Sequence, residues 1–240
     1  MIKPAKPLSW SFSKLADFAR CKLAFKLKHL DKIPEPERAL RPGQLEHAND
    51  RGSRIHDNIE TYIRGDHDAL CSEAEKHFGM YIDLLRILHA DGLVEMEGEW
   101  AFTQEWESTG WDDGWVRMKL DLLVRLSDTQ AVVADWKSGR HFGNEVSHGN
   151  QLNLYAMSTF LRYPKLEELW VADYYVDHGV VTERRFTRDQ GLRFKAGFHK
   201  QGMTLTSCTT FPANPNKYSC QWCLYGPAHS GDCSVGVRKP

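Results

Sequence analysis

The chain has 240 residues, 41% of them apolar and 26% charged, a balance that excludes a disordered or fibrous protein and suits one sizeable core. Its 31 Lys and Arg against 32 Asp and Glu leave a net charge of −1, so overall charge argues for no nucleic-acid partner, and any such surface must be a local basic patch. No apolar run approaches the roughly 20 residues that span a bilayer, and MIKPAKPLSW lacks the apolar core of a signal peptide, which predicts a cytoplasmic protein with no membrane partner.

Ser11 or Ser13 can cap a first helical region, in which Phe12, Leu15, Phe18 and Ala19, then Leu23, Phe25, Leu27 and Leu30 recur at helical spacing, with Cys21 inside it. Arg20, Lys22, Lys26, Lys28 and Lys32 make this region basic. Pro34, Pro36 and Pro42 make 33–43 a loop. The next helix is expected to begin near Gly52 and Ser53, with Ile55, Ile59, Tyr62 and Ile63 as its buried stripe and His56 beside it. A histidine so placed is ordinarily a core-edge residue with one hydrogen bond, unless a metal site lies near. The helix over 72–90, anchored by Phe78, Tyr81, Ile82, Leu85 and Leu88, shows only packing.

From Val94 to Trp106 alternation predicts a strand with an acidic face, which reads first as a solvated edge and alternatively as one that brings Glu99 toward the carboxylates of the following strand. In RMKLDLLVRLSDTQAVVADWKSGR two apolar runs flank a polar turn at Ser127, Asp128 and Thr129. Met118, Leu120, Leu122 and Val124 alternate with Arg117, Lys119, Asp121 and Arg125, while Val133, Asp135 and Lys137 share one face of the second run. A hairpin register that sets Asp121 opposite Asp135 brings like charges together. Such a pair needs a cation between its members, so the hairpin reads as a site for a hard metal ion with a lysine beside it.

After Gly139 a loop is expected to reach Asn150, followed by a helix that sets Gln151 and Tyr155 on one face. Residues 169–176 and 180–186 flank Asp177-His178-Gly179 as a hairpin, and Thr187 with Gln190 forms a capping box for a helix toward Thr204. A second basic group, Arg184, Arg185, Arg188, Arg193, Lys195 and Lys200, falls here. Six cysteines stand at 21, 71, 208, 220, 223 and 233, a spacing that suits metal or cluster ligation better than disulfides in a cytoplasmic protein. The order of elements describes an α/β core with a mixed sheet in one domain.

An aspartate on one strand, Asp135-Trp136-Lys137 on the next and a helix with Gln-x-x-x-Tyr together resemble the PD-(D/E)xK nuclease superfamily. LSWSFSKLADFARCKLAFKL, GSRIH, DWKSG and QLNLY are similar to the opening helix, the Gly-x-x-x-His helix, the Asp-Tyr-Lys-Thr-Gly strand and the Gln-x-x-x-Tyr helix of its RecB-like exonuclease branch, which includes CRISPR-associated and phage-encoded iron–sulfur exonucleases. The likeness implies a restriction-endonuclease-like core, a central mixed β-sheet flanked by helices, with the chain ends joined by a cysteine-bound cluster. It spans a single nuclease domain over 1–240, divided into a helical part at 1–50, a catalytic core at 51–206 and a cysteine-rich segment at 207–240.

By that resemblance His56, Asp121 and Asp135 are metal ligands, with the backbone carbonyl of Trp136 as a fourth. Lys137 is then the catalytic lysine, and Gln151 and Tyr155 help hold the DNA. Two carboxylates and an imidazole suit Mn²⁺ or Mg²⁺. Cys21, Cys220, Cys223 and Cys233 would hold a [4Fe–4S] cluster. The gap before Cys233 is longer than the family's usual one and His229 stands at the shorter spacing, so structural Zn²⁺ on Cys220, Cys223, His229 and Cys233, or His229 in place of Cys233, remain alternatives. Cys71 and Cys208 read as ordinary thiols.

The function implied is a metal-dependent exonuclease acting on single-stranded or end-containing DNA in recombination, repair or phage DNA processing. A recombination or annealing protein and a homo-oligomer are compatible partners. The alternatives are a non-catalytic DNA-binding or assembly module of the same fold, and a zinc-stapled adaptor.

Overall fold

A computed structural model describes residues 8–37, 40 and 43–237 of the chain. Pro42, expected in the loop after the first helices, lies outside these residues, and Glu97 of the acidic strand is described by its backbone alone. The chain divides into two compact units, 1–41 with 199–240 and 42–198.

The first unit opens with α1 (Phe12–Arg20), capped by Ser11, whose hydroxyl accepts from the Lys14 N–H. The helix does not run through Cys21, as its apolar spacing suggests, because Cys21 is extended at φ −161°. Its side chain and the freed carbonyl of Arg20 are met instead by Asn214, whose N–H reaches Cys21 Sγ at 3.4 Å and whose amide donates to Arg20 O at 3.1 Å. Helix ends leave such carbonyls without intrahelical partners, so the asparagine supplies what the break removes. The short α2 (Lys22–Phe25) then continues into a single π turn, Lys26–Leu30. Phe25 is fully buried, with Phe18 edge-on at 5.3 Å and Phe211 stacked at 6.3 Å.

The second unit carries a six-stranded sheet of order β2-β1-β3-β4-β5-β6. Its strands are β1 (Val94–Phe102), β2 (Ser108–Thr109), β3 (Val116–Arg125), β4 (Gln130–Lys137), β5 (Glu168–Tyr175) and β6 (Val180–Thr187). All neighbours are antiparallel except β4 and β5, which run parallel. A parallel pair cannot be joined by a tight turn, and α5 (Glu145–Arg162) makes the crossover. The sheet is therefore mixed, as the order of elements predicts.

On one face pack α3 (Ala48–Arg64) and α4 (Ser72–Ala90). Ile55, Ile59 and Ile63 of α3 meet Phe78, Ile82 and Leu85 of α4 over Val94, Leu122, Val124, Ala134 and Trp136 of the strands. Each such side chain removed from water contributes about 1.5–3 kcal/mol. Because α3 begins at Ala48 rather than Gly52, Arg51, Gly52 and His56 all belong to its first turns. The helix ends at Gly65, whose φ of 84° is the left-handed conformation that glycine adopts without a steric cost.

The other face is covered by α5, which begins at Glu145 within the expected loop and buries Leu152, Leu154, Tyr155, Ala156, Met157 and Phe160. Covering on both faces explains why β4 and β5 read as almost continuous apolar runs. The Thr187–Gln190 capping box is present and starts α6 (Arg188–Leu192), and α7 (Lys195–Thr206) follows as a separate helix where one was expected. The first unit is completed by α8 (Lys217–Cys220) and the turns after it, where the Tyr225 hydroxyl donates to Ile33 O at 2.9 Å. No helix among the described residues is long and apolar enough to cross a membrane.

Candidate active site at the ends of β3 and β4

The β3–β4 ladder pairs Leu122 with Ala134, Leu123 with Val133 and Val124 with Val132. That is the register in which Asp121 comes next, facing Asp135. The ladder stops there, and the Asp121 Oδ2 takes the place of a backbone acceptor by receiving the Trp136 N–H at 2.7 Å. The other oxygen of Asp121 faces His56 Nδ1 of α3 at 3.3 Å. Asp135 is 4% exposed. Its Oδ1 accepts from the Tyr155 hydroxyl at 3.0 Å and from Gln151 Nε2 at 3.4 Å, and its Oδ2 pairs with Lys137 Nζ at 2.5 Å. Each aspartate thus has one oxygen anchored by neutral donors and one turned toward a group able to carry positive charge.

The electrostatics follow from that packing. Burial pushes the Asp121 carboxyl up, and the charge of Asp135 pushes it further. Burial works against a charged His56, but the Asp121 carboxylate and then Asp135 outweigh it and hold the imidazole up at about 9. Lys137 is likewise disfavoured by burial and raised overall by Asp135 and Asp173. His56 Nδ1 and Lys137 Nζ are the groups that face the two carboxylates, at 3.3 Å from Asp121 and 2.5 Å from Asp135. Among the described residues no group of three or more His, Cys, Asp or Glu side chains stands in metal-binding geometry.

Gln151 and Tyr155 sit on α5 as their spacing predicts, and both make hydrogen bonds inside the site. Gln151 Oε1 accepts from Lys137 Nζ at 2.8 Å, and its amide donates to the Tyr155 hydroxyl at 2.8 Å. Tyr155, 4% exposed, also reaches Lys119 O at 3.0 Å. Glu99 does not turn toward the carboxylates; it lies half-exposed opposite Lys119 and pairs with it at 2.9 Å. The side chain of Trp136 packs in the core on the opposite face, which leaves only its backbone at the site.

Two further features escaped the sequence reading. Asp173 on β5 stands in register with Asp135, is 1% exposed, and is pushed up to about 7 by burial against the pull of Lys137. A lone acid in an apolar strand was the available signal, but only the parallel register shows where it points. Asp177 forms a clamp: it accepts both Arg51 guanidinium nitrogens at 2.7 and 3.0 Å and the Gly139 N–H at 2.8 Å. The first turn of α3 is thereby tied to the segment that follows Lys137. The same approach brings Gly52 so close that a Cβ there would stand 3.1 Å from Ser138 Oγ.

In the first unit, the Cys223 thiol is pushed up by burial and further by Cys21, Cys233 and Cys220 around it. Cys220 and Cys223 bracket a turn closed by the Cys223 N–H on Cys220 O at 3.2 Å, and Cys233 is buried. The His229 N–H bonds Gly226 O at 2.9 Å. Cys71 and Cys208 are half-buried thiols, Cys71 just ahead of α4 and Cys208 bonded to Thr210 O at 3.0 Å.

A family model described as the PD-(D/E)XK nuclease superfamily matches residues 9–228. Among solved structures, the chain is similar to a protein designated SSO0001, at 11% identity over 99% of this chain and 91% of that one, with a TM-score of 0.39. It is also similar to a candidate exonuclease from Eubacterium rectale, at 12% identity over 97% of this chain and 90% of that one, with a TM-score of 0.49. No curated protein matches it.

Proposed function

The chain belongs to the PD-(D/E)XK nuclease superfamily, and from that premise we propose that it is a divalent-metal-dependent DNA exonuclease of the RecB-like branch, acting on single-stranded or end-containing DNA. The observation that carries the reading is the convergence of Asp121, Asp135, His56 and Lys137 at the paired ends of β3 and β4. Nucleases of this superfamily generally use divalent metal ions. The chemistry of the donor set fits one: the buried Asp135 and the partly buried Asp121, each with one oxygen fixed by a neutral donor, and an imidazole at their edge, all suited to Mg²⁺ or Mn²⁺. Asp121, Asp135 and His56 would hold the ion, with the Trp136 carbonyl as a fourth ligand. Bound there, such an ion supplies an acidified water and neutralises charge on the scissile phosphate.

The protein's own groups do the rest. Lys137, charged and held by Asp135 and Gln151, orients the attacking water and offsets the negative charge that develops on the phosphorus oxygens. Hydrolysis then leaves a 5′-phosphate and a 3′-hydroxyl. Tyr155 and Gln151 fix the orientation of Asp135 and Lys137. Gln151, at the edge of the cluster, is the member that can also meet a phosphate of the strand.

The same proposal assigns Cys21, Cys220, Cys223 and Cys233 to a [4Fe–4S] cluster, with Zn²⁺ as the competing occupant. Its support is the family resemblance together with the spacing of these cysteines. A role in recombination, repair or phage DNA processing, with a recombination or annealing protein as partner, rests on the family resemblance.

Labelled single- and double-stranded oligonucleotides incubated with Mn²⁺ test the activity. The wild type should shorten strands from an end, and Asp135→Asn should lose this while keeping its circular dichroism. Binding without degradation by the wild type would replace the exonuclease with a DNA-binding module.

A further inference from the structure

Asp173 is a buried acid that the nuclease reading leaves without a task. It lies on β5 opposite Asp135 in a parallel register, so its carboxyl projects from the same face as Asp135 and Lys137. It is 1% exposed, and its Oδ1 makes no hydrogen bond. Burying a carboxylate without full compensation costs free energy that an apolar residue of similar size would not, so packing gives no reason for an acid at this position. Lys137 Nζ stands 3.8 Å from that oxygen, beyond its 2.5 Å contact with Asp135 and its 2.8 Å hydrogen bond to Gln151.

The lysine has a problem that this arrangement resolves. Its side chain is 16% exposed, so its ammonium needs a nearby negative charge. In the present arrangement Asp135 supplies it. In the working site Asp135 is also a metal ligand, and a carboxylate whose charge is drawn to a divalent ion is a poor counter-ion for a second cation. The Oδ1 of Asp173 accepts no hydrogen bond and lies 3.8 Å from the lysine ammonium.

We propose that Asp173 is a positioning residue for Lys137, the counter-ion that keeps the ammonium beside the reaction centre once Asp135 is engaged. The inference rests on the nuclease reading for its catalytic consequence, while the pairing itself concerns only this chain's residues. Asp173 acts through Lys137 and does not touch the substrate.

A double-mutant cycle between Asp173→Asn and Lys137→Met tests it, read in two ways. In metal-free protein, Lys137→Met should lower the melting temperature by leaving buried carboxylates uncompensated, and adding Asp173→Asn should recover part of the loss; additive shifts overturn the pairing. With Mn²⁺ and labelled DNA, Asp173→Asn alone should lower kcat about 10- to 100-fold, the usual effect of removing a group that orients a functional residue. KM and DNA affinity should stay unchanged. In the Lys137→Met background the same change should have no further effect. An unchanged kcat, or an equal fall in both backgrounds, overturns the positioning role. If Asp173→Asn does not fold, the smaller neutral Asp173→Ser serves in the same cycle. A wild type without cleavage counts against the nuclease reading instead, and the melting cycle still decides the pairing.

Discussion

Tyr155 shows how far a side chain's role depends on where its neighbours come from. Its spacing from Gln151 is that of two neighbours on one helical face, and the family resemblance gives both the task of holding DNA. In the folded unit that face is turned to the sheet, and the hydroxyl is spent on Asp135 and on Lys119 O. Tyr155→Phe should therefore lower kcat with little change in DNA affinity, and should destabilise the protein by about 1 kcal/mol for the lost buried hydrogen bond. Binding and turnover assays of the same variant check this; weaker DNA binding with intact kcat would return Tyr155 to a direct contact. Asp121 makes the complementary point. One of its oxygens replaces a ladder acceptor for the Trp136 N–H, so Asp121→Ala should remove a proposed metal ligand and also leave that buried donor unpaired, costing about 1–3 kcal/mol. Denaturant titration beside the cleavage assay separates the two losses.

At the scale of elements, the site is held together by a contact between helix and loops. Arg51 at the start of α3 and Gly139 after β4 both bind Asp177 in the β5–β6 turn, and so His56 and Lys137 are referred to one carboxylate. The Arg51 guanidinium, ahead of the Gly139 N–H, holds the Asp177 carboxyl below its ordinary value. A carboxyl lowered on folding contributes stability above its unfolded value, about 3.9, and that contribution is lost as pH falls through the folded value. The clamp is partly exposed, so its worth is about 1 kcal/mol. Melting temperatures of the wild type and Asp177→Asn should differ at neutral pH and converge below pH of about 3.9. A constant gap across that range would show that the clamp's charge does not matter.

For the whole molecule, the two units differ in what they bring together. The unit spanning 42–198 has the sheet and its buried isoleucines, whereas the other gathers Cys21, Cys220, Cys223 and Cys233 from both ends of the chain. Ile59→Ala should cost about 2–5 kcal/mol through transfer and cavity terms. Cys220→Ser should remove the proposed cluster's visible absorption and its iron. Calorimetry of the two variants should show different transitions shifting; one transition moved alike by both would mean that the units unfold together. Elemental analysis decides between iron and zinc.

Local chemistry in the sequence was enough for the strands around Asp121 and Asp135, the turn at 127–129, the capping box at Thr187 and the superfamily. Each depends on the period of apolar residues or on a few adjacent side chains, and a chain carries that information in one dimension. Other features were beyond it. The break at Cys21 depends on an extended backbone answered by Asn214, far along the chain. The burial of Tyr155, the pairing of Glu99 with Lys119 and the Asp177 clamp each join segments whose distance in sequence says nothing of their distance in space. Asp173 is the clearest case. As a letter in β5 it is an acid in an apolar run, and only the parallel register with β4 sets it beside Asp135 and within 3.8 Å of Lys137. Periodicity determines which face a side chain occupies, but which faces meet is decided by the order in which the strands assemble.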